Sequence, residues 1–271
     1  MNRRSLPILA TLSAATALAG CDGDIEINGQ KGVPLSEIEI AGAPPSEVVL
    51  SSGDTVILTE GNTFAIKVEG TDTESLRFVR DAEVIGITRE EGWNGKSNAT
   101  IRITMPPPKE VVIAGSGTVQ AQSLAPTADV SIGGSGTITF ASVAADKLGV
   151  NIGGSGTVRG AGTAKRLEIN IGGSGDVELA GLKADSAEVS IGGAGDVEFA
   201  SDGKVEANIA GAGDIKVTGN ATCTANTFGS GTLNCASAVT NAPAAPAIPA
   251  APAAPVAPVA PVAPNAPKPA Q

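Results

Sequence analysis

The chain has no histidine and no tyrosine, a single tryptophan, and only 2% aromatic residues in 271. Without histidine, zinc centres built on imidazole and hydrolases that rely on an imidazole base are excluded. With so few aromatics, stacking platforms for nucleobases or sugars are scarce. Basic residues are outnumbered 18 to 28, giving a formal charge of −10, so the basic footprint that nucleic acid requires is missing. No helical apolar stripe follows residue 20. The one long apolar run, Leu6 to Ala19, is too short and too closely followed by polar residues for a comfortable membrane span.

What the chain has instead is glycine, 35 residues of it, set among valine and isoleucine in a recurring segment. The copies read VVIAGSGTV from Val111, VSIGGSGTI from Val130, VNIGGSGTV from Val150, INIGGSGDV from Ile169, VSIGGAGDV from Val189, ANIAGAGDI from Ala207 and ANTFGSGTL from Ala225. Their last glycines, Gly117, Gly136, Gly156, Gly175, Gly195, Gly213 and Gly231, are spaced by 19, 20, 19, 20, 18 and 18 residues. A near-constant period built on alternating residues and glycine corners predicts stacked coils. The fold class is therefore all-β, a single-stranded right-handed parallel β-helix with coils of roughly 18–20 residues; the handedness follows the crossover rule. Alternation assigns inward columns headed by Val111, Ile113, Val119, Ala121 and Ala128, in which like residue should stack on like. The corner itself has a structural explanation, a sharp turn needing positive φ and close backbone approach. A phosphate cradle would need a following helix, and a strand follows every copy.

Residues 34–110 carry period-two alternation without a clean repeat. Strands are expected over Ser36–Ile40, Glu47–Leu50, Thr55–Thr59, Phe64–Glu69, Leu76–Val79, Val84–Thr88 and Thr100–Thr104, as irregular opening coils of the same structure. Trp93, between two glycine turns, is either an exposed anchor for a partner or, in preference, a lid over the end of the core.

Before this domain, Arg3-Arg4, the apolar run and Leu18-Ala19-Gly20-Cys21 form a signal segment over 1–20. Its ending resembles the bacterial lipobox, which implies lipidation of Cys21 and a tether to the membrane rather than a span. Asp22 resembles the inner-membrane retention signal of some Gram-negative lipoproteins, favouring the periplasmic side of the inner membrane over the outer membrane. Residues 21–33 read as a spacer, 34–236 as the β-helix, and 237–271, built on Ala-Pro-Val rhythms, as a disordered, polyproline-like tail.

The outward columns hold the candidate site. Asn151, Asn170, Asn208 and Asn226 share one position as a polar ladder. Asp176, Asp196 and Asp214 share another, and Glu178 and Glu198 lie two residues on. These carboxylates form a solvated acidic face offset by Arg159 and Lys216, or else a cation or ligand face, with Ca2+ as the one conceivable cofactor. Cys223 and Cys235 fall in inward columns of the last coil, as a disulfide locking it or as two buried thiols.

The copies from Val111 to Ile215, after a strand-rich opening, resemble the bacterial putative auto-transporter adhesin head domain (GIN) family. The resemblance covers roughly residues 34–236 and implies an exported, often lipidated, right-handed β-helical protein. It brings no catalytic or binding residue with it, and the last copy departs from the pattern at Thr227-Phe228. The expected function is a membrane-anchored, non-enzymatic envelope lipoprotein with a binding or adhesion surface for envelope polysaccharide or protein. The alternatives are a structural spacer acting through the tail, and a polysaccharide-acting enzyme, which the missing histidine and tyrosine disfavour.

Overall fold

The computed structural model describes residues 26–27, 29–235 and 239–241. The signal segment, Cys21, Asp22 and the tail from residue 242 lie outside the described residues. Two 3-10 turns, Leu35–Glu37 and Thr73–Ser75, interrupt an otherwise all-β chain. Strands β1 (Glu26–Ile27) and β2 (Gln30–Lys31) form an antiparallel hairpin. The non-repeating stretch holds β3 (Glu47–Leu50), β4 (Thr55–Glu60), β5 (Ala65–Glu69), β6 (Leu76–Arg80), β7 (Val84–Arg89) and β8 (Thr100–Met105). The repeats open with β9 (Glu110–Ile113), β10 (Thr118–Ser123) and β11 (Thr127–Ile132). They continue through the long bent strands β12 (Thr137–Ile152), β13 (Thr157–Ile171), β14 (Asp176–Ile191) and β15 (Val197–Gly211). They finish with β16 (Asp214–Thr218), β17 (Thr222–Gly229), β18 (Thr232–Cys235) and β19 (Val239–Asn241).

The product is a parallel β-solenoid of about seven turns with coils of about 19 residues. The register is that of the sequence repeats: Val130 pairs with Val150, Val150 with Ile169, Ile169 with Val189 and Val189 with Ala207. The inward columns are buried along their length, and Thr227, exposed in the last coil, is where one of them stops. The variable period has a local cause. The strand and glycine corner keep one length, and register shifts between Phe140 and Val143, Arg159 and Ala161, and Leu179 and Lys183 absorb the extra or missing residue at another bend. In one column, large stacks on small rather than like on like: the Phe140 ring lies where a side chain at Gly160 would stand.

The corner glycines are required by close approach, not by a left-handed backbone. From Gly115 to Gly195 none of them has positive φ, contrary to expectation, and only Gly211 and Gly229 do. A Cβ at the middle glycine of each corner, such as Gly134, Gly154 or Gly173, would run into the carbonyl oxygen of the glycine one coil earlier. At the last glycine it would also strike the isoleucine beneath, as Gly136 would strike Ile113 at 2.6 Å. The first place is open: at Gly172 the nearest atom is 3.9 Å from the added carbon, and Ala114 and Ala210 already occupy it.

The opening coils are stacked out of chain order. β3 lies between β7 and β9, and β4 between β8 and β10, all parallel, so the second coil in sequence is the outer one. Its free edges are covered by antiparallel β6 on β7 and β5 on β8, which keeps the edge from adding a foreign strand. Ser36–Ile40, expected as a strand, is a 3-10 turn followed by irregular chain with Ile40 exposed. Part of the expected spacer is structural, because the β1–β2 hairpin sets Ile27 over Gly86 in a small apolar cluster with Val49, Val79, Val84 and Val112.

In the inner of these two coils, Asp54 stands where the repeats have their last glycine, since Leu50 pairs with Ile113 and Thr55 with Thr118. Its buried carboxylate accepts from Arg89 Nε at 2.8 Å and Nη2 at 2.5 Å, from Ser52 Oγ at 2.8 Å and from the Ala99 N–H at 3.0 Å. Arg89 donates onward to the Asp72 carbonyl and to Ser75 Oγ. Asp72 holds that carbonyl in place with a left-handed backbone, φ 55°, at a cost of order 1 kcal/mol. Trp93 lies over the guanidinium, 4.2 Å from its ring centroid, so it lids the ion pair. A fully hydrogen-bonded buried pair of this kind is costly to break from one side.

Two outcomes follow for stability, both read by thermal or urea unfolding. Gly173→Ala should cost about 1–3 kcal/mol by overpacking, while Gly172→Ala should stay within about 0.5 kcal/mol of the parent. Arg89→Met should cost about 3–5 kcal/mol by stranding the Asp54 carboxylate, and adding Asp54→Gly, which restores the glycine of the repeat, should recover part of that loss.

Candidate binding face

Because strand side chains alternate, each coil presents its outward residues as columns running along the solenoid. The columns singled out from the sequence are satisfied within the fold. Asp176 Oδ1 accepts the Asp196 N–H at 3.3 Å, Asp196 Oδ1 accepts the Asp214 N–H at 3.0 Å, and Asp214 Oδ1 accepts both the N–H (3.0 Å) and the hydroxyl (2.7 Å) of Thr232. Each aspartate thus caps the backbone of the following coil, a stepwise staircase rather than a pooled charge. Glu178 is held by two hydrogen bonds from Arg159, at 2.8 and 2.7 Å, and Glu198 by Lys216 at 2.7 Å. The Arg159 bonds pull the Glu178 carboxyl below its ordinary range. This face is charge-balanced in register, Arg159 to Glu178 to Glu198 to Lys216. Among the described residues no three metal-binding side chains converge.

The asparagine ladder is two separate rungs. Asn170 Nδ2 donates to Asn151 Oδ1 at 3.1 Å and Asn226 Nδ2 to Asn208 Oδ1 at 3.2 Å, with Ser190 between the pairs. The structure joins Cys223 to Cys235 across the interior of the last coil, with an S–S distance of 2.01 Å and Cα atoms 6.5 Å apart.

Beside the asparagines, on the same face, lies a column that the sequence reading missed. Glu47, Glu110 and Asp129 stand in register, followed by Gly149, Glu168, Glu188 and Glu206. Lys147, Arg166, Ser186 and Lys204 form the next column out. Extending the repeat alignment one residue before its first inward valine would have shown the acids. The glycine at 149 and the irregular coil carrying Glu47 hid the pattern. Along its later coils the column is compensated, Lys147 reaching Glu168 at 2.8 Å and Lys204 reaching Glu206. A shallow groove of about 240 Å³ opens there between Arg166 and Lys204, at Ser186.

At its early end the charges are of one sign. Glu47 is half-buried, and burial first, then Glu110, Asp81 and Glu83, push its carboxyl up to about 7. Glu110 is raised by burial and by Asp129. This end therefore carries acids that resist ionisation and gain from a cationic or hydrogen-bond-donating neighbour. A second hollow, of about 460 Å³, lies at the capped end of the solenoid between the 30–43 segment and β6. Arg80 closes it, donating to the Glu39 and Ala43 carbonyls and covering Phe64.

The Glu47 environment predicts a pH dependence. The folded carboxyl titrates near 7 and the unfolded one near 4.5, so the folded state binds the proton more tightly. Stability from this group is complete below about 4.5 and is lost as pH rises through about 7. Melting should therefore occur at a higher temperature at pH 5 than at pH 8, and Glu47→Gln should raise the pH 8 Tm by roughly 2–4 °C and narrow the gap.

The family described as "Putative auto-transporter adhesin, head GIN domain" matches residues 44–221, and the chain belongs to it. None of the curated proteins compared matches the chain. Among solved structures it is similar to a putative adhesin from Bacteroides fragilis, with 20% identity, a TM-score of 0.63, and 71% of this chain and 92% of that one covered. A protein from Parabacteroides distasonis described as a putative lipid binding protein aligns at 20% identity and a TM-score of 0.56, covering 73% and 94%. A putative adhesin from Parabacteroides merdae aligns at 17% and 0.54, covering 72% and 93%. These likenesses concern the fold.

Proposed function

We propose that this member of the GIN-domain family is a lipid-anchored, non-enzymatic envelope protein whose solenoid binds a partner along the face carrying Glu47, Glu110 and Asp129. The observation that carries the reading is the contrast between the two faces. The Asp176 to Asp214 staircase and the Arg159 to Lys216 column use their charges inside the fold, whereas the early acids face one another with raised proton affinity. An extended surface of shallow ladders suits a polymer or another protein better than a small substrate, which prefers an enclosed pocket. The partner class is envelope polysaccharide or protein with cationic or hydroxyl groups to offer the acids. Lipidation of Cys21 would hold the protein to the membrane, and Asp22 favours the periplasmic side of the inner membrane.

The paired state of the Asp176 face favours a second reading, in which the solenoid is a neutralised rod and the Pro/Ala tail makes the contacts. Capture of envelope fractions by the intact protein separates the two. Glu47→Gln with Glu110→Gln and Asp129→Asn should abolish capture, whereas Asp176→Asn with Asp196→Asn and Asp214→Asn should leave it. If only removal of residues 242–271 loses the captured material, the surface reading fails and the rod reading stands. Cys21→Ser should move the protein from the membrane to the soluble fraction; retention in the membrane would refute the anchor.

A further inference from the structure

The repeats end on an incomplete rung. β19 pairs parallel with β17 only at Cys223 to Val239, Thr224 to Thr240 and Ala225 to Asn241. Beyond it, β17 continues through Asn226, Thr227 and Phe228, and Phe228 is 73% exposed in a place where the other coils have glycine or alanine. The same register carried forward three residues sets Ala242 beside Asn226, Pro243 beside Thr227 and Ala244 beside Phe228.

The hydrogen-bond phase of the solenoid makes that sequence informative. Outward residues donate their N–H back to the preceding coil, as Gly133 does to the Ile113 carbonyl (2.8 Å) and Gly172 to that of Ile152 (2.8 Å). Inward residues donate forward, as Val177 does to the Asp196 carbonyl (2.8 Å). In this phase Ala242 and Ala244 supply the N–H groups that β17 needs, to the carbonyls of Ala225 and Thr227, and the Ala242 carbonyl accepts from Thr227. Residue 243 would send its N–H forward, off the end of the solenoid, and residue 243 is proline. Proline is tolerated on an edge strand only with its missing donor facing outward, and there it denies pairing to any further strand. Prolines recur at 246 and 249, so the next one falls on a position that must donate back, and the ladder stops after three residues.

We propose that Ala242-Pro243-Ala244 completes the terminal rung over Asn226 to Phe228 and that Pro243 closes the edge, making the chain's own tail, rather than a second copy, the occupant of this end. The test is amide hydrogen exchange at Thr227 in the full chain and in a chain ending at Asn241. Exchange should be at least roughly tenfold faster in the shortened chain, the loss of one protecting hydrogen bond. Equal rates in the two chains would overturn the proposal, as would protection in the full chain that disappears on dilution, the sign of a second copy. Pro243→Val, which restores an outward N–H, should raise the solution mass towards a dimer; an unchanged mass would refute the edge-closing role.

Discussion

The carbonyl of one coil and the glycine Cα of the next approach so closely that no side-chain carbon fits between them, and this contact governs the rest of the molecule. It sets the repeat, because each coil must bring a glycine to the same place over the one before it. With the corner fixed, the flanking valines and isoleucines are delivered to the interior in register, and their burial supplies the cohesion that a chain with almost no helix must draw from stacked strands. Length variation is then forced to the bend where the long strands bulge.

Where the stack begins, that constraint is lifted and the space is reused. No regular coil follows the same course outside β3 and β4, so the column can hold a side chain, and Asp54 turns its carboxylate into a knot of Arg89, Ser52, Ser75 and the Ala99 backbone. Polar satisfaction replaces glycine fit as the source of order. At the other end the Cys223–Cys235 disulfide closes a loop of 12 residues, a constraint worth about 3 kcal/mol by chain entropy. One periodic structure is thus finished by two unrelated chemistries.

The repeats were legible from sequence because backbone sterics admit little besides glycine at the corner and alternation admits little besides branched apolar residues inside. Six of the seven opening strands could be placed for the same reason, within a residue or two. Their stacking order could not, since local alternation says nothing about which coil lies outside which, and Ser36-Glu-Ile-Glu-Ile40 alternates without pairing at all. The candidate site was read less well. Asp176, Asp196 and Asp214 are visible as a column, but that each caps the next coil's backbone is a matter of angstroms. The Glu47 to Asp129 column emerges only when the irregular coil is set against the regular ones, a register that pairing, not sequence, decides.

The inverted order of the first two coils has a mechanical consequence. The strand through which the chain enters the solenoid, β3, is bonded on both sides, to β7 and to β9. A pull on the N-terminal end therefore does not meet an edge strand that can be peeled away one hydrogen bond at a time. Once the small β1–β2 hairpin has yielded, the load must draw an interior strand out from between two neighbours, breaking both ladders together. A body tethered by that end would resist drag with its most protected coil, and would be expected to yield to tension from the opposite end first.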